Sequence, residues 1–244
     1  MSAILTGRTI PWVILLAAGL LAGAAAAAEP SADALSAEGR KLYRAGEPAA
    51  AAAKLRQAIA LNPELARAHW NLARSLAALH AAGKACAHEA QRSTIIRHLF
   101  KACRLHPRFK RRLRREKAFG PVRDTFAWQR LRGLTTRKPR HVKRILRRVS
   151  WYGPPGAGGQ PASGLRFEAK GKCTLWLRPE NDPAGELKLI SGRWRSSRSR
   201  VLVELDEPYQ EQQQFQGELK PTGTLWLPGL PGPFSDDAHE CAGG

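Results

Sequence analysis

Apolar residues recur with the period of a helix through the first part of the chain and with the period of a strand through its last third. Between Ala34 and Pro63, ALSAEGRKLYRAGEPAAAAAKLRQAIALNP, the residues Gly39, Gly46, Ala51, Leu55, Ala58 and Pro63 fall where two short helices must touch and turn. Small residues at Gly39 and Ala51 let the backbones approach closely. Gly46 is placed to close the first helix in a left-handed turn, and Pro63 to stop the second. A second helical text follows at once, with Ala66, His69, Trp70, Leu72, Ala73 and Leu76 in period. Beyond Pro107, Phe109, Leu113, Phe119, Val122, Phe126, Trp128 and Leu131 stand apolar against a basic background and predict one or two further helices laid over the preceding ones. After GLTTRKP, the positions Val142, Ile145, Leu146 and Val149 resume the helical spacing.

The segment GPPGAGGQPASG cannot hold regular structure, so residues 151–164 are expected to form a Pro/Gly-rich linker. Beyond it the period becomes two. Leu165, Phe167 and Ala169 alternate with polar neighbours, as do Cys173, Leu175 and Leu177. Leu187 and Leu189, then Val201, Val203 and Leu205, then Phe215, Gly217 and Leu219, and finally Leu225 and Leu227 continue the alternation. Five to seven short antiparallel strands are predicted for 165–244, closed as a small sandwich or barrel. Bulky Phe167, Leu175, Trp194 and Leu225 suit a filled barrel better than an open one. The fold class is therefore α+β, with helical hairpins and a helical extension before an antiparallel β-domain.

The pattern of Gly39, Ala51, Ala58 and Pro63 resembles a tetratricopeptide repeat (TPR), a helix–turn–helix unit of about 34 residues. HWNLARSLA is similar to the first helix of another such unit, with Leu72 and Ala73 at its packing positions. Two departures stand out. Leu35 occupies the family's first aromatic position, and Ala102 and Pro107 arrive about ten residues late for a standard repeat. The surplus sits around LHAAGKACAHEAQRS, so the inter-helix turn is expected to be enlarged. The resemblance covers residues 31–107 and implies a scaffold that holds a protein or peptide in a concave helical groove. It implies Arg40 and Tyr43 of the first unit, and Asn71 and Arg74 of the second, as groove residues. The β-region, GLRFEAKGKCTLWL onward, loosely resembles small lipocalin-like barrels of bacterial envelope proteins.

The ends of the chain bear on compartment. Arg8 precedes WVILLAAGLLAGAAAAA, which thins into alanine before Glu29-Pro30 and reads as a cleavable signal peptide over 1–28. A periplasmic or secreted mature protein is expected. Four cysteines, Cys86, Cys103, Cys173 and Cys241, read in such a protein as two disulfides with three possible connectivities. Cys86–Cys103 would tie the enlarged turn to the following helix, which favours that pair together with Cys173–Cys241.

Charge adds a second candidate function. The formal net charge is +20, and residues 97–148 hold twenty Lys and Arg against two acids, Glu116 and Asp124. Most of these cations are arginine, whose planar fork suits phosphate and carboxylate groups. Arg111, Arg112, Arg114, Arg115, Arg144, Arg147 and Arg148 are the candidate anion-binding residues of the 108–150 extension. Anionic envelope polymers or lipid head groups are the expected targets, with nucleic acid bound only non-specifically. The helix around HVKRILRRVSW could also lay an apolar face on a membrane.

A search for an active site leaves little. His88-Glu89 begins like HExxH, but Arg92 stands at the second ligand position. No GxSxG elbow and no paired cysteines at zinc-ligand spacing are present. No catalytic residue, metal site or cofactor is therefore assigned. The first expectation is a non-enzymatic envelope scaffold for protein–protein interaction. Anionic-polymer or membrane-surface binding is the alternative, and a hydrolase or small-ligand-carrying barrel a distant third.

Overall fold

The computed structural model describes residues 30–156, 159–179, 185–238 and 241. The expected signal peptide lies outside the described residues. Helices α1 (Ala32–Arg44) and α2 (Pro48–Leu61) form one hairpin, and α3 (Ala66–Ala81) and α4 (Arg92–Leu105) a second stacked on it. The Ser31 hydroxyl accepts from the Ala34 amide at 3.2 Å and starts α1. Gly46, at φ +84°, closes it as the sequence predicts. A Cβ on Gly39 would lie 2.6 Å from the Leu55 side chain and 3.2 Å from the Ala51 carbonyl oxygen. Only glycine lets α1 and α2 sit that close. The enlarged turn is present as residues 82–91 between α3 and α4.

The extension does two different jobs. Helix α5 (Arg108–Leu113) and a 3-10 helix (Lys117–Val122) bury Phe109, Leu113, Phe119 and Val122 in the core of the hairpins. Helix α6 (Phe126–Leu131) is shared: Trp128 and Leu131 join that first core, whereas Phe126 joins a second one. Helix α7 (Pro139–Leu146) belongs wholly to the second, burying Val142, Ile145 and Leu146 against the sheet. The apolar face that could have met a membrane is thus inside the protein.

The sheet is an antiparallel meander in sequence order: β1 (Trp151–Tyr152), β2 (Ser163–Phe167), β3 (Lys172–Leu177), β4 (Lys188–Ser197), β5 (Arg200–Tyr209), β6 (Gln212–Leu219) and β7 (Leu225–Trp226). It is nearly closed into a barrel by the returning chain. Phe234 exchanges hydrogen bonds with Leu225 (2.8 and 2.9 Å) and Ser235 with Tyr152 (2.7 and 2.8 Å). Phe167, Leu175, Trp194 and Leu225 are all buried in its core.

Three sequence expectations are corrected. Residues 151–164 are not a linker between domains. Trp151 and Tyr152 are strand β1, and Gly153 and Gly156 donate to Ser163 and Gln160 within the β1–β2 connection. Leu187 and Leu189 do not face the core: β3 aligns Leu175 with Ile190, which turns Ile190 inward and leaves Leu189 63% exposed. A one-residue change of register exchanges the two faces of a strand. Finally, the disulfide joins Cys86 to Cys241, with 5.6 Å between their Cα atoms, while Cys103 and Cys173 are buried and unbonded in separate cores. The tail reaches the enlarged turn because Asp236 first binds α6, accepting from the Phe126 amide at 2.7 Å.

Candidate anion-binding cleft

In α5 the apolar residues Phe109 and Leu113 are four apart, so one face of the helix turns inward and the intervening arginines turn out. Arg111, Arg112, Arg114 and Arg115 all line one cleft of about 890 Å³, together with Lys110. Its opposite wall is the end of α6, which contributes Arg130 and Arg132. These two were not singled out in the sequence. Their signal was the basic run itself, but nothing local says that residues 130–132 fold back to face 111–115.

The two acids of the belt are both engaged by arginines of the hairpins. Glu116 lies 3.3 Å from Arg74 of α3, and Asp124 lies 2.7 Å from Arg92 of α4 while accepting from the Ser150 hydroxyl at 2.8 Å. Glu116 lines the cleft, but its charge is offset by Arg74. Arg132 shows the consequence: burial, then the charges of Arg148, Arg114, Arg144 and Arg123, push its pKa below the usual arginine value. An anion placed among these groups removes that repulsion.

The expected groove fares differently. Arg40 is exposed on α1, but the Arg74 guanidinium stacks on the Tyr43 ring at 4.4 Å and is held by Glu116. Asn71 is buried. Beside it, the Trp70 ring stacks on Phe109 at 4.7 Å and meets Phe119 edge-on at 5.0 Å. The chain's own residues 109–119 therefore cover the face of the second unit. Of the remaining anion candidates, Arg147 and Arg148 line a cleft beside β1–β3, and Arg144 is exposed on α7.

Among the described residues no group of three His, Cys, Asp or Glu side chains could hold a metal ion. Burial pushes the Cys103 thiol up to about 11 and the Cys173 thiol up to about 12, which leaves both protonated and unreactive at neutral pH. Arg92, at the position that interrupts the HExxH pattern, is the buried partner of Asp124.

One titratable pair sits in the hairpins. His69 Nε2 lies 2.9 Å from the Pro63 carbonyl oxygen, and His69 Nδ1 lies 2.9 Å from His98 Nδ1. A carbonyl only accepts, so Nε2 carries the His69 proton and His98 Nδ1–H donates to His69. Both rings are neutral. Burial, then the neighbouring His69, pushes His98 down to about 4 from an ordinary 6.5. The unfolded chain therefore takes up the proton first. The contribution is complete above the unfolded value and is lost as pH falls from there toward the folded value. About 2 kcal/mol should disappear between pH 7 and pH 5. Urea unfolding of the wild type and of His98→Gln at both pH values isolates it. An equal pH dependence in the two proteins would refute the assignment.

No protein-family model, curated protein or solved structure matches this chain.

Proposed function

We propose that this is an exported, non-enzymatic binding protein that holds an anionic polymer of the cell envelope in the cleft between α5 and α6. The observation that carries this reading is convergence. Four arginines picked from the sequence meet Arg130 and Arg132 across one cleft, and Glu116, the acid at its edge, is bound to Arg74. The disulfide fits an oxidising compartment, as does the apolar N-terminus. Among the described residues no helix is long and apolar enough to cross a membrane.

The test is binding of labelled polyphosphate and polyuronate followed by fluorescence anisotropy. With six cations in contact, affinity should fall roughly 300- to 1,000-fold between 50 and 200 mM salt, by counterion release. The variant carrying Arg111→Glu, Arg112→Glu, Arg114→Glu and Arg115→Glu should lose binding at either salt. Salt-insensitive binding, or unchanged binding by the variant, would sink the reading.

A TPR-like scaffold for protein–protein interaction is the second reading. It is supported by the two stacked hairpins and by the Gly39–Leu55 approach. With residues 109–119 lying over Trp70, the surface it would offer a partner is the α1 face that carries Arg40. A partner retained at high salt by the charge-reversed variant would favour it.

A further inference from the structure

The cleft between α5 and α6 does not end at Arg132. Arg114 and Arg132 also line a second cleft, of about 370 Å³, whose far side holds Arg148. Arg148 in turn lines a third, of about 480 Å³, which runs along the start of the barrel to Tyr152 and Trp176. Arg114 and Arg132 set the first two clefts side by side and Arg148 the last two, so that in order they trace a track from the helices onto the sheet. The acid in its middle, Asp124, is already bound by Arg92 and the Ser150 hydroxyl.

The end of the track is chemically unlike its beginning. A Cβ on Gly164 would fall 2.2 Å from the Trp176 indole, so the ring lies on bare β2 backbone. Tyr152 braces it edge-on, with ring centroids 6.4 Å apart. The indole stays partly exposed on the outer face of the barrel, in the same cleft as Arg147 and Arg148. A braced, partly exposed tryptophan next to arginines suits a ligand that carries both rings and charges. Polyphosphate has charges but no ring to place there. Single-stranded nucleic acids stack successive bases on several aromatic side chains along a groove. Here the partly exposed rings stand at one end, after a stretch dominated by arginines in which the aromatic lining residue, Trp128, is itself buried. A polymer of acidic sugars fits this order: carboxylates on the arginines, and the C–H face of one pyranose on the indole.

We propose that the track binds an extended acidic polysaccharide, with Trp176 as the platform for one of its sugar rings. The proposal rests on the cleft being a polyanion site, and the two can fail separately. The probes are polyuronate oligomers of two, four, eight and sixteen residues, polyphosphate, and single-stranded DNA of matched charge. They are titrated into the wild type, Trp176→Ala, Trp176→Phe and the fourfold arginine reversal described above. Affinity for polyuronate should rise steeply until the oligomer spans from Arg112 to Trp176. Trp176→Ala should weaken the sixteen-mer about tenfold and leave polyphosphate unchanged, while Trp176→Phe retains most of the wild-type affinity and shows that the sheet is intact. If Trp176→Ala alters no polymer, the sugar platform is overturned and the cationic cleft stands. If DNA binds more tightly than polyuronate and alone senses Trp176, the ligand class is overturned in favour of nucleic acid. If the fourfold reversal changes nothing, the cleft reading itself has failed.

Discussion

Replacing Cys86 by serine, or reducing the Cys86–Cys241 bridge, is expected to lower the free energy of unfolding by about 5 kcal/mol on a chain-entropy argument. The size follows from the separation of 155 residues, which lets the bridge restrain more than half of the chain when it is unfolded. The pairing favoured by the sequence, Cys86 with Cys103, would have closed a short loop and contributed about 3 kcal/mol by the same argument. Native-state consequences add to this. The strap that ends at Cys241 carries the Phe234 and Ser235 seam of the barrel and the Asp236 carboxylate on α6. Freed from its anchor, it should exchange its amides faster than the rest of the sheet. Urea unfolding with and without reductant measures the first effect, and hydrogen exchange at residues 234–236 the second. An unchanged midpoint under reductant would show that the bridge does not stabilise the fold by restraining the unfolded chain. Cys103 and Cys173 cannot confuse the experiment by exchanging partners in the native state, because each is buried in a separate core.

Trp70→Ala should cost about 3–5 kcal/mol and loosen the extension from the hairpins. Trp70 is 4% exposed and lies between the α3 surface and the rings of Phe109 and Phe119. Its removal leaves a cavity at the only place where α5 and the 3-10 helix share aromatic packing with α3, as far as the described residues go. The ring pairs contribute beyond their buried area, by about 0.5–1.5 kcal/mol each. Trp70→Phe keeps a ring on Phe109 and should cost far less. Trypsin offers a second readout, since the segment 108–116 is rich in arginine: cleavage there should accelerate in Trp70→Ala and not in Trp70→Phe. If Trp70→Ala unfolds at the wild-type midpoint and resists trypsin equally, the extension is not held through this residue. The same variant tests the cleft indirectly, because α5 carries one of its walls.

Local chemistry settled much of this architecture from the sequence alone. Gly39 and Ala51 mark the close approach of α1 and α2, and Gly46 the end of α1, because a missing side chain or a left-handed turn is written at a single position. The surplus around Cys86 announced the long turn at 82–91. Alternation placed Leu165, Phe167, Leu175, Val201, Val203 and Leu225 inside an antiparallel β-domain, since a strand presents successive residues to opposite faces. The basic run from 97 to 148 located the candidate cleft to within one segment.

What remained was decided by contacts between distant residues, which leave no local pattern. Leu189 obeys the alternation by itself, and only the pairing of Leu175 with Ile190 turns it outward. The apolar face of α7 has the spacing of a surface helix, yet Val142, Ile145 and Leu146 are buried in the apolar core of the sheet. Asp236 reaches Phe126 across 110 positions, and Cys86 reaches Cys241 across 155. The site follows the same rule. Sequence named the arginines of one wall. The tertiary fold supplied the other wall at Arg130 and Arg132, paired Glu116 and Asp124 with Arg74 and Arg92, and covered Trp70 with the chain's own aromatics. Charge density is a sum over neighbours in space, and spacing along the chain records only some of those neighbours.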